Sequence, residues 1–332
     1  MAYKALTIII PTYNVSNYIE KCLDSVTKNT DILDYLEIIV INDGSTDDSG
    51  KKAQVYADRY PQSVILVNKE NGGHGSALNV GIGMATGEYL RILDSDDWIN
   101  CKGLENQVQF IKEQEEKVDL IINPYEEVWE SGKHRIKTVD YPELIKYGDS
   151  FDLKVLANHG CIPFIWNATY KTKLYRVNNI PQIDEGISFD DIEFSIFIMP
   201  FLKTVKYLPD IVYHYRLGRT GQSVNPTNKI RKQWMHEKII DRGYKYRLVG
   251  GPAQELIDAR LVKEIGSDFH TYLLWDDKKE AKRKFMEVVH KYNDLPYNKS
   301  SNKKMRLVFR SKFIGFGVIG MFYRIKNKFD WK

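Results

Sequence analysis

Three aspartates fall within four positions in "ILDSDDW", residues 92–98, directly after an apolar run. Burying one carboxylate is costly, and like charges beside it raise the cost. Two chemistries answer to this spacing. Either the acids cap a turn into the next helix, or Asp94 and Asp96 converge on a hard divalent cation, Mg²⁺ or Mn²⁺, shared with phosphate oxygens. Asp97 reads as the start of the following turn. A lone D-x-D does not choose between the two. Three further clusters mix the same residue types: "IPTYN" (10–14), "INDGSTDDS" (41–49) and "NGGHG" (71–75). Asp43 suits a base N–H or a ribose hydroxyl. The glycines permit close backbone approach, and a helix start after them offers N–H groups to an anion. Pro11 is expected to end its strand and leave backbone groups of Thr12 and Tyr13 free.

The elements that position these clusters are short Ile-, Leu- and Val-rich runs: "LTIII" (6–10), "LEIIVI" (36–41), "SVILVN" (63–68) and "EYLRILD" (88–94). Such runs are expected as strands buried on both faces. Helical patterns separate them. In "NYIEKCLDSV", Ile19, Cys22, Leu23 and Val26 recur at helical spacing, with Ser16 or Asn17 as the cap. "STDDSGKKAQVYADRY" predicts a helix from near Ser45 to Asp47, and "SALNVGIGMATG" one ending at Gly87. Alternation of this kind predicts an α/β fold with a doubly wound, mostly parallel sheet, which binds ligands at the carboxyl ends of its strands. All four clusters sit at those ends, and that position favours the metal reading of Asp94 and Asp96. Further on, a helix (103–117), a strand in "VDLIIN" and a hairpin turning near Ser131 and Gly132 follow.

The chain has 332 residues, 43% hydrophobic and 28% charged, with a net charge of +4 that is too small to argue for nucleic acid. The expected division is a catalytic domain over 1–225, a charged helical region over 226–302 and a basic amphipathic segment over 303–332. "NKSSNKK" (298–304) reads as a linker between the last two. In the final segment nine Lys and Arg residues face one acid, Asp330, around a short apolar centre, Phe313 to Phe322. That pattern suits a helix lying on an anionic membrane surface. Its "GFGVIG" lacks the strand–turn–helix setting of a dinucleotide site. Cys22, Cys101 and Cys161 lie far apart, as expected of a reducing compartment. With no leader-like or spanning segment evident, the expected location is cytoplasmic, at the inner face of the cell membrane.

"TIIIPTYNVSNYIEKCLDSV", "EIIVINDGSTDDS" and "NGGHGSALNVGIGMATGEYLRILDSDDW" together resemble the nucleotide-binding half of the inverting family-2 glycosyltransferases of the bacterial cell-surface polysaccharide type. The resemblance is close over about residues 4–125 and loose over 126–225. It implies the A-type glycosyltransferase fold, a nucleotide-sugar donor (most often a UDP-sugar), Mg²⁺ or Mn²⁺, and a lipid-linked or cell-envelope glycan acceptor. By position, Pro11, Thr12, Tyr13 and Asn14 would line the nucleotide and Asp43 would bind uracil. Gly72, Asn79, Asp94 and Ser95 would complete the donor site, and Asp96 with Asp94 would hold the metal. The family often carries an Arg where this chain has Leu78, so a phosphate contact that this Arg sometimes supplies must come from elsewhere or be missing.

Outside the resemblance, Asp190 and Asp191 in "GISFDDIEFSIFIMP" read as an acidic helix start. Within it, this pair implies a general base, Asp191, with Asp190 beside the sugar pocket. "FIWNATYKTKLYR" implies Trp166 and Asn167 in the same pocket. In "IVYHYRLGRTGQSVN", His214 is a candidate metal or diphosphate ligand, and Arg216, Arg219 and Ser223 are candidates for phosphate. His74 reads as a turn residue. Two rivals remain open: a sugar-nucleotide nucleotidyltransferase, for which "PTYNVSNYIE" lacks the Gly-rich basic loop, and a donor-binding subunit that needs a partner.

Overall fold

The apolar runs form the strands expected of them. The computed structural model describes residues 2–137, 150–159, 161–219, 226–247 and 249–297. The chain divides into two compact units, 1–219 and 220–332. In the first, β1 (Leu6–Thr12), α1 (Ile19–Thr27), α2 (Thr30–Leu33), β2 (Leu36–Asp43), α3 (Ser49–Arg59), β3 (Val64–Lys69), α4 (His74–Met84) and β4 (Tyr89–Ile92) alternate. There follow β5 (Trp98–Ile99), α5 (Cys101–Glu113), β6 (Leu120–Ile122), β7 (Tyr125–Trp129), β8 (His134–Lys137), β9 (Ser150–Asp152) and α6 (Leu153–His159). The unit ends with β10 (Ala168–Lys171), α7 (Lys173–Val177), α8 (Asp191–Ile198), β11 (Thr204–Tyr207) and β12 (Tyr213–Leu217).

The main sheet has the order β3-β2-β1-β4-β10-β6-β11-β9. β3, β2, β1 and β4 run parallel, β10 enters antiparallel between β4 and β6, and β11 returns parallel to β6. A second sheet, β5-β12-β7-β8, contains the expected hairpin, turned at Gly132 with φ 84°. β1 and β2 are buried along their whole length, as central strands with both faces covered should be. β3 is the edge strand, which is why Ile65 stays exposed against expectation.

Several local expectations are corrected. Pro11 does not end β1: pairing with β2 continues through Pro11↔Ile41 and Thr12↔Asn42, and only pairing with β4 stops, at Ile9↔Ile92. Proline removes one donor and keeps its acceptor, so one side of the strand stays paired. The N-cap of α1 is Tyr18, with no side-chain capping bond. α3 starts at Ser49, because Asp47 takes the Ser49 N–H at 2.9 Å and holds the preceding residues in a turn. α4 ends at Met84 with Ala85 as its C-cap, and Gly87 instead donates its N–H to the Thr7 hydroxyl at 2.9 Å.

The second unit contains α9 (Pro226–Tyr246), α10 (Gly251–Leu274) and α11 (Lys278–Lys291). Leu256, Ile257, Leu261, Ile265, Phe269 and Leu273 recur at three- and four-residue steps along α10 and are buried. A buried polar knot joins α9 to α10: His236 lies 2.8 Å from Asp268 and 3.2 Å from Glu264, and Arg260 lies 2.9 Å from Glu264. Burial opposes charge on His236, yet the Asp268 and Glu264 carboxylates outweigh it and push the imidazole up to about 10. Segment 303–332, the "NKSSNKK" linker and Ser223 lie outside the described residues.

Candidate active site

The crowded acids of "ILDSDDW" are not helix caps. α5 is capped by Asn100, whose side chain accepts the Gly103 N–H at 3.0 Å. The Asp97 N–H closes the turn onto the Asp94 carbonyl at 2.9 Å. The three carboxylates then take separate partners. Asp97 is buried, accepting the Tyr213 hydroxyl at 2.6 Å and the Arg216 backbone N–H at 2.7 Å. Burial, then the neighbouring Asp96 and Asp94 charges, hold its carboxyl well above the usual range. The Asp94 N–H donates to the same Tyr213 hydroxyl oxygen at 3.2 Å, so one phenol ties the turn to β12. Asp96 pairs with Arg219 through Nε at 2.5 Å, and its carbonyl accepts Arg216 Nε at 2.7 Å. Burial raises the Asp96 pKa, and Arg219 partly offsets that.

Both arginines lie against aromatic rings. The Arg216 guanidinium sits 4.8 Å from the centre of the Tyr18 ring and 5.0 Å from Trp98, and that of Arg219 sits 5.6 Å from Tyr18. Lys21 lies 3.2 Å over Trp98. Tyr18, Lys21 and Trp98 were not singled out from the sequence. The "YIEK" and "DDW" spacing around the motifs is the only signal that pointed to them.

Asp43 is committed to the Gly-rich loop. Its carboxylate accepts Gly72 N–H at 2.9 Å and Gly73 N–H at 2.8 Å, and pairs with Lys69 at 2.6 Å. These donors stand where a uracil N–H was expected. Asn14, at φ 51°, accepts the Thr46 N–H at 2.8 Å and joins the first loop to the second. Thr12 is buried with its hydroxyl on Ile10, while Tyr13 is half-exposed at the same edge. Asn79 does not face open space: its amide donates to Ile183 O at 2.9 Å and accepts Ile183 N–H at 3.0 Å.

The acidic pair opens a helix as expected, with Asp190 at the N-cap of α8 and Asp191 its first residue. His74, the first residue of α4, spans the gap between this pair and the strand-end acids. Its Nδ1 lies 2.6 Å from Asp190 Oδ2 and its Nε2 lies 3.2 Å from Asp94 Oδ1. Burial opposes its charging, but Asp190 and then Asp94 outweigh that and hold its pKa well above the usual value. Reading His74 as a turn residue missed this role, because contacts to residues so far along the chain leave no local pattern.

Other expected site residues sit differently. Trp166 stacks with Phe164 at 5.0 Å and Tyr215 at 5.3 Å, so ring neighbours of the protein occupy its indole. Asn167 is buried and closes its own turn, accepting Phe164 N–H at 2.8 Å. His214 stacks on Trp98 at 5.2 Å with Nδ1 2.8 Å from Glu126, in place of the expected metal-site neighbours. Ser95 is buried in the Asp94–Asp97 turn.

Among the described residues no group of three or more His, Cys, Asp or Glu side chains is arranged to hold a metal ion. Asp94 and Asp96 form a two-carboxylate set. That set fits Mg²⁺ or Mn²⁺ completed by diphosphate oxygens and water, and does not fit an all-protein cage. Each carboxylate faces a cationic side chain in this structure, His74 on Asp94 and Arg219 on Asp96.

Known proteins resemble this chain in sequence and in fold. The chain is 28% identical over 242 residues to "Minor teichoic acid biosynthesis protein GgaB" of Bacillus subtilis, covering 70% of this chain and 25% of that one. It spans from about a fifth to just under two thirds of the length of the curated relatives it matches. Staphylococcus aureus TarS (residues 1–349, in complex with UDP-GlcNAc) superposes with a TM-score of 0.67 at 20% identity, over 97% of this chain and 92% of that one. "Mannosyltransferase PcManGT from Pyrobaculum calidifontis in complex with GDP-Man and Mn2+" gives a TM-score of 0.56 at 18% identity, over 99% and 88%. These two likenesses establish the mostly parallel sheet with its helices as a known fold. The family model "Glycosyl transferase family 2" matches residues 7–176, and the chain belongs to that family.

Proposed function

We propose that this chain transfers a sugar from a nucleotide diphosphate sugar, most readily a UDP-sugar, to a hydroxyl of a lipid-linked or cell-envelope glycan, with inversion. The observation that carries the reading is the span made by His74, which sets strand-end acid Asp94 and the α8 pair Asp190–Asp191 on one site. In a single displacement the acceptor oxygen bonds to the anomeric carbon as the diphosphate leaves with its electron pair. Asp191 takes the acceptor's proton. A bound Mg²⁺ or Mn²⁺, held by Asp94 and Asp96, would neutralise charge on the diphosphate. Arg216 and Arg219, already at this edge, supply guanidinium donors for phosphate. The GgaB and TarS likenesses favour surface-polymer chemistry and a uridine nucleotide. Purified protein with Mn²⁺ is expected to release UDP from at least one member of a UDP-sugar panel. Silence across all nucleotide sugars would favour a subunit that needs a partner.

The same reading places the protein at the inner face of the membrane. No described helix is long and apolar enough to cross one. The nine cations of residues 303–332 supply the attraction to anionic lipid. Deleting 303–332 is expected to move the protein from the pellet to the supernatant in sedimentation with anionic vesicles. Retention on the vesicles after the deletion would refute the anchor.

A further inference from the structure

We propose that His74 is a positioning residue that fixes Asp190, and through it the first turn of α8 that presents Asp191, against Asp94. The proposal rests on the glycosyl-transfer reading above. Three observations carry it. First, an N-cap aspartate ordinarily turns its carboxylate onto its own helix's free N–H groups. Asp190 makes no such bond and gives its buried carboxylate to His74 Nδ1 at 2.6 Å. Second, Phe189, immediately before the pair, has φ 73°, a left-handed conformation that a bulky residue adopts only when its surroundings impose it. Third, the imposing surroundings are the loop that carries His74. Gly186 N–H donates to Gly72 O at 2.7 Å, and a Cβ at residue 75 would lie 2.4 Å from Asp184 O. Asp184 N–H in turn reaches the buried Glu193 of α8 at 2.7 Å.

The loop and the 183–191 segment are therefore in direct main-chain contact; Asn79 of α4 also reaches this segment at Ile183, but His74 is the residue that reaches Asp190. The imidazole suits this task because its two nitrogens point to opposite ends of the ring. One end meets Asp190 and the other meets Asp94. Neither role requires His74 to touch a reacting atom. Its effect passes through Asp190 to the placement of Asp191.

The test compares three variants in the full-length protein. An Asn amide nitrogen can stand where Nδ1 stands and keep the Asp190 contact. A Gln amide nitrogen stands where Nε2 stands and keeps only the Asp94 contact. His74→Ala is expected to lower kcat for UDP release from the best donor by roughly 10- to 100-fold, the usual penalty for a misplaced catalytic group. Calorimetric affinity for UDP with Mn²⁺ is expected to fall by less than kcat does, since Asp94 loses one partner while it and Asp96 keep their carboxylates. His74→Asn is expected to restore most of kcat, and His74→Gln is not. An unchanged kcat in His74→Ala would overturn the proposal. So would rescue by Gln rather than Asn, which would route the effect through Asp94. Parallel loss of kcat, UDP affinity and thermal midpoint, restored by neither amide, would show a purely structural residue. If wild-type protein neither binds UDP with Mn²⁺ nor releases it from any donor, the glycosyl-transfer reading itself fails, and this role with it.

Discussion

Asp191→Asn is expected to cut glycosyl transfer by roughly 10²–10⁴-fold, the range that a positioned general base contributes. The substitution keeps the shape of the side chain and removes its ability to take a proton. Asp191 begins α8, directly after the buried Asp190 that His74 holds. A carboxylate there benefits from the helix N-terminus, and Asn is also at home in a first turn, so folding should survive. On the proposed reading the donor is held elsewhere, by Asp94, Asp96 and the arginines. Affinity for UDP with Mn²⁺ is therefore expected to stay within about threefold, separating loss of chemistry from loss of binding. Intact transfer at normal donor affinity would remove Asp191 from the role of base.

Asp96→Ala carries the second large effect. On the proposed reading Asp96 is one of two carboxylates that would hold a diphosphate-bound cation, since Asp97 already takes Tyr213 and the Arg216 backbone. Losing it deprives the cation of half its protein ligands. A cation's charge stabilisation is worth several kcal/mol, so Mn²⁺-dependent UDP affinity is expected to fall by about 100-fold or more. The substitution also releases Arg219, whose pair with Asp96 is largely shielded from solvent. Free Arg219 can still meet phosphate, so weak metal-independent binding is expected to persist. Calorimetry with and without Mn²⁺ resolves the two. Unchanged affinity in the presence of Mn²⁺ would exclude Asp96 as a metal ligand.

The central strands were legible because burial on both faces demands uninterrupted Ile, Leu and Val, as in residues 36–41. The sheet-edge location of the motifs followed from that alternation alone. Helix starts were less legible. The run from Ser45 to Ser49 offers five residues able to cap, and only the Asp47 contact to Ser49 selects among them. The division of labour among three adjacent acids was legible in part. Asp97 was read as the start of a turn, and its commitment depends on Tyr213, which arrives more than a hundred residues later. Asp43 shows the opposite failure. Its place at the strand end was read correctly, yet its partners proved to be the loop's own N–H groups and Lys69.

The contacts around that loop have a consequence for how the protein can change. From Asp43 the connection runs to the N–H groups of Gly72 and Gly73, from the Gly72 carbonyl to Gly186, and on to the segment that launches α8. The bridge depends on one side chain, Asp43, and on glycines with little room for a Cβ: at Gly72 it would lie 2.6 Å from Ser76 Oγ, and Gly73 holds φ 88°. Change is therefore easier in the residues that border the bridge than in the bridge itself.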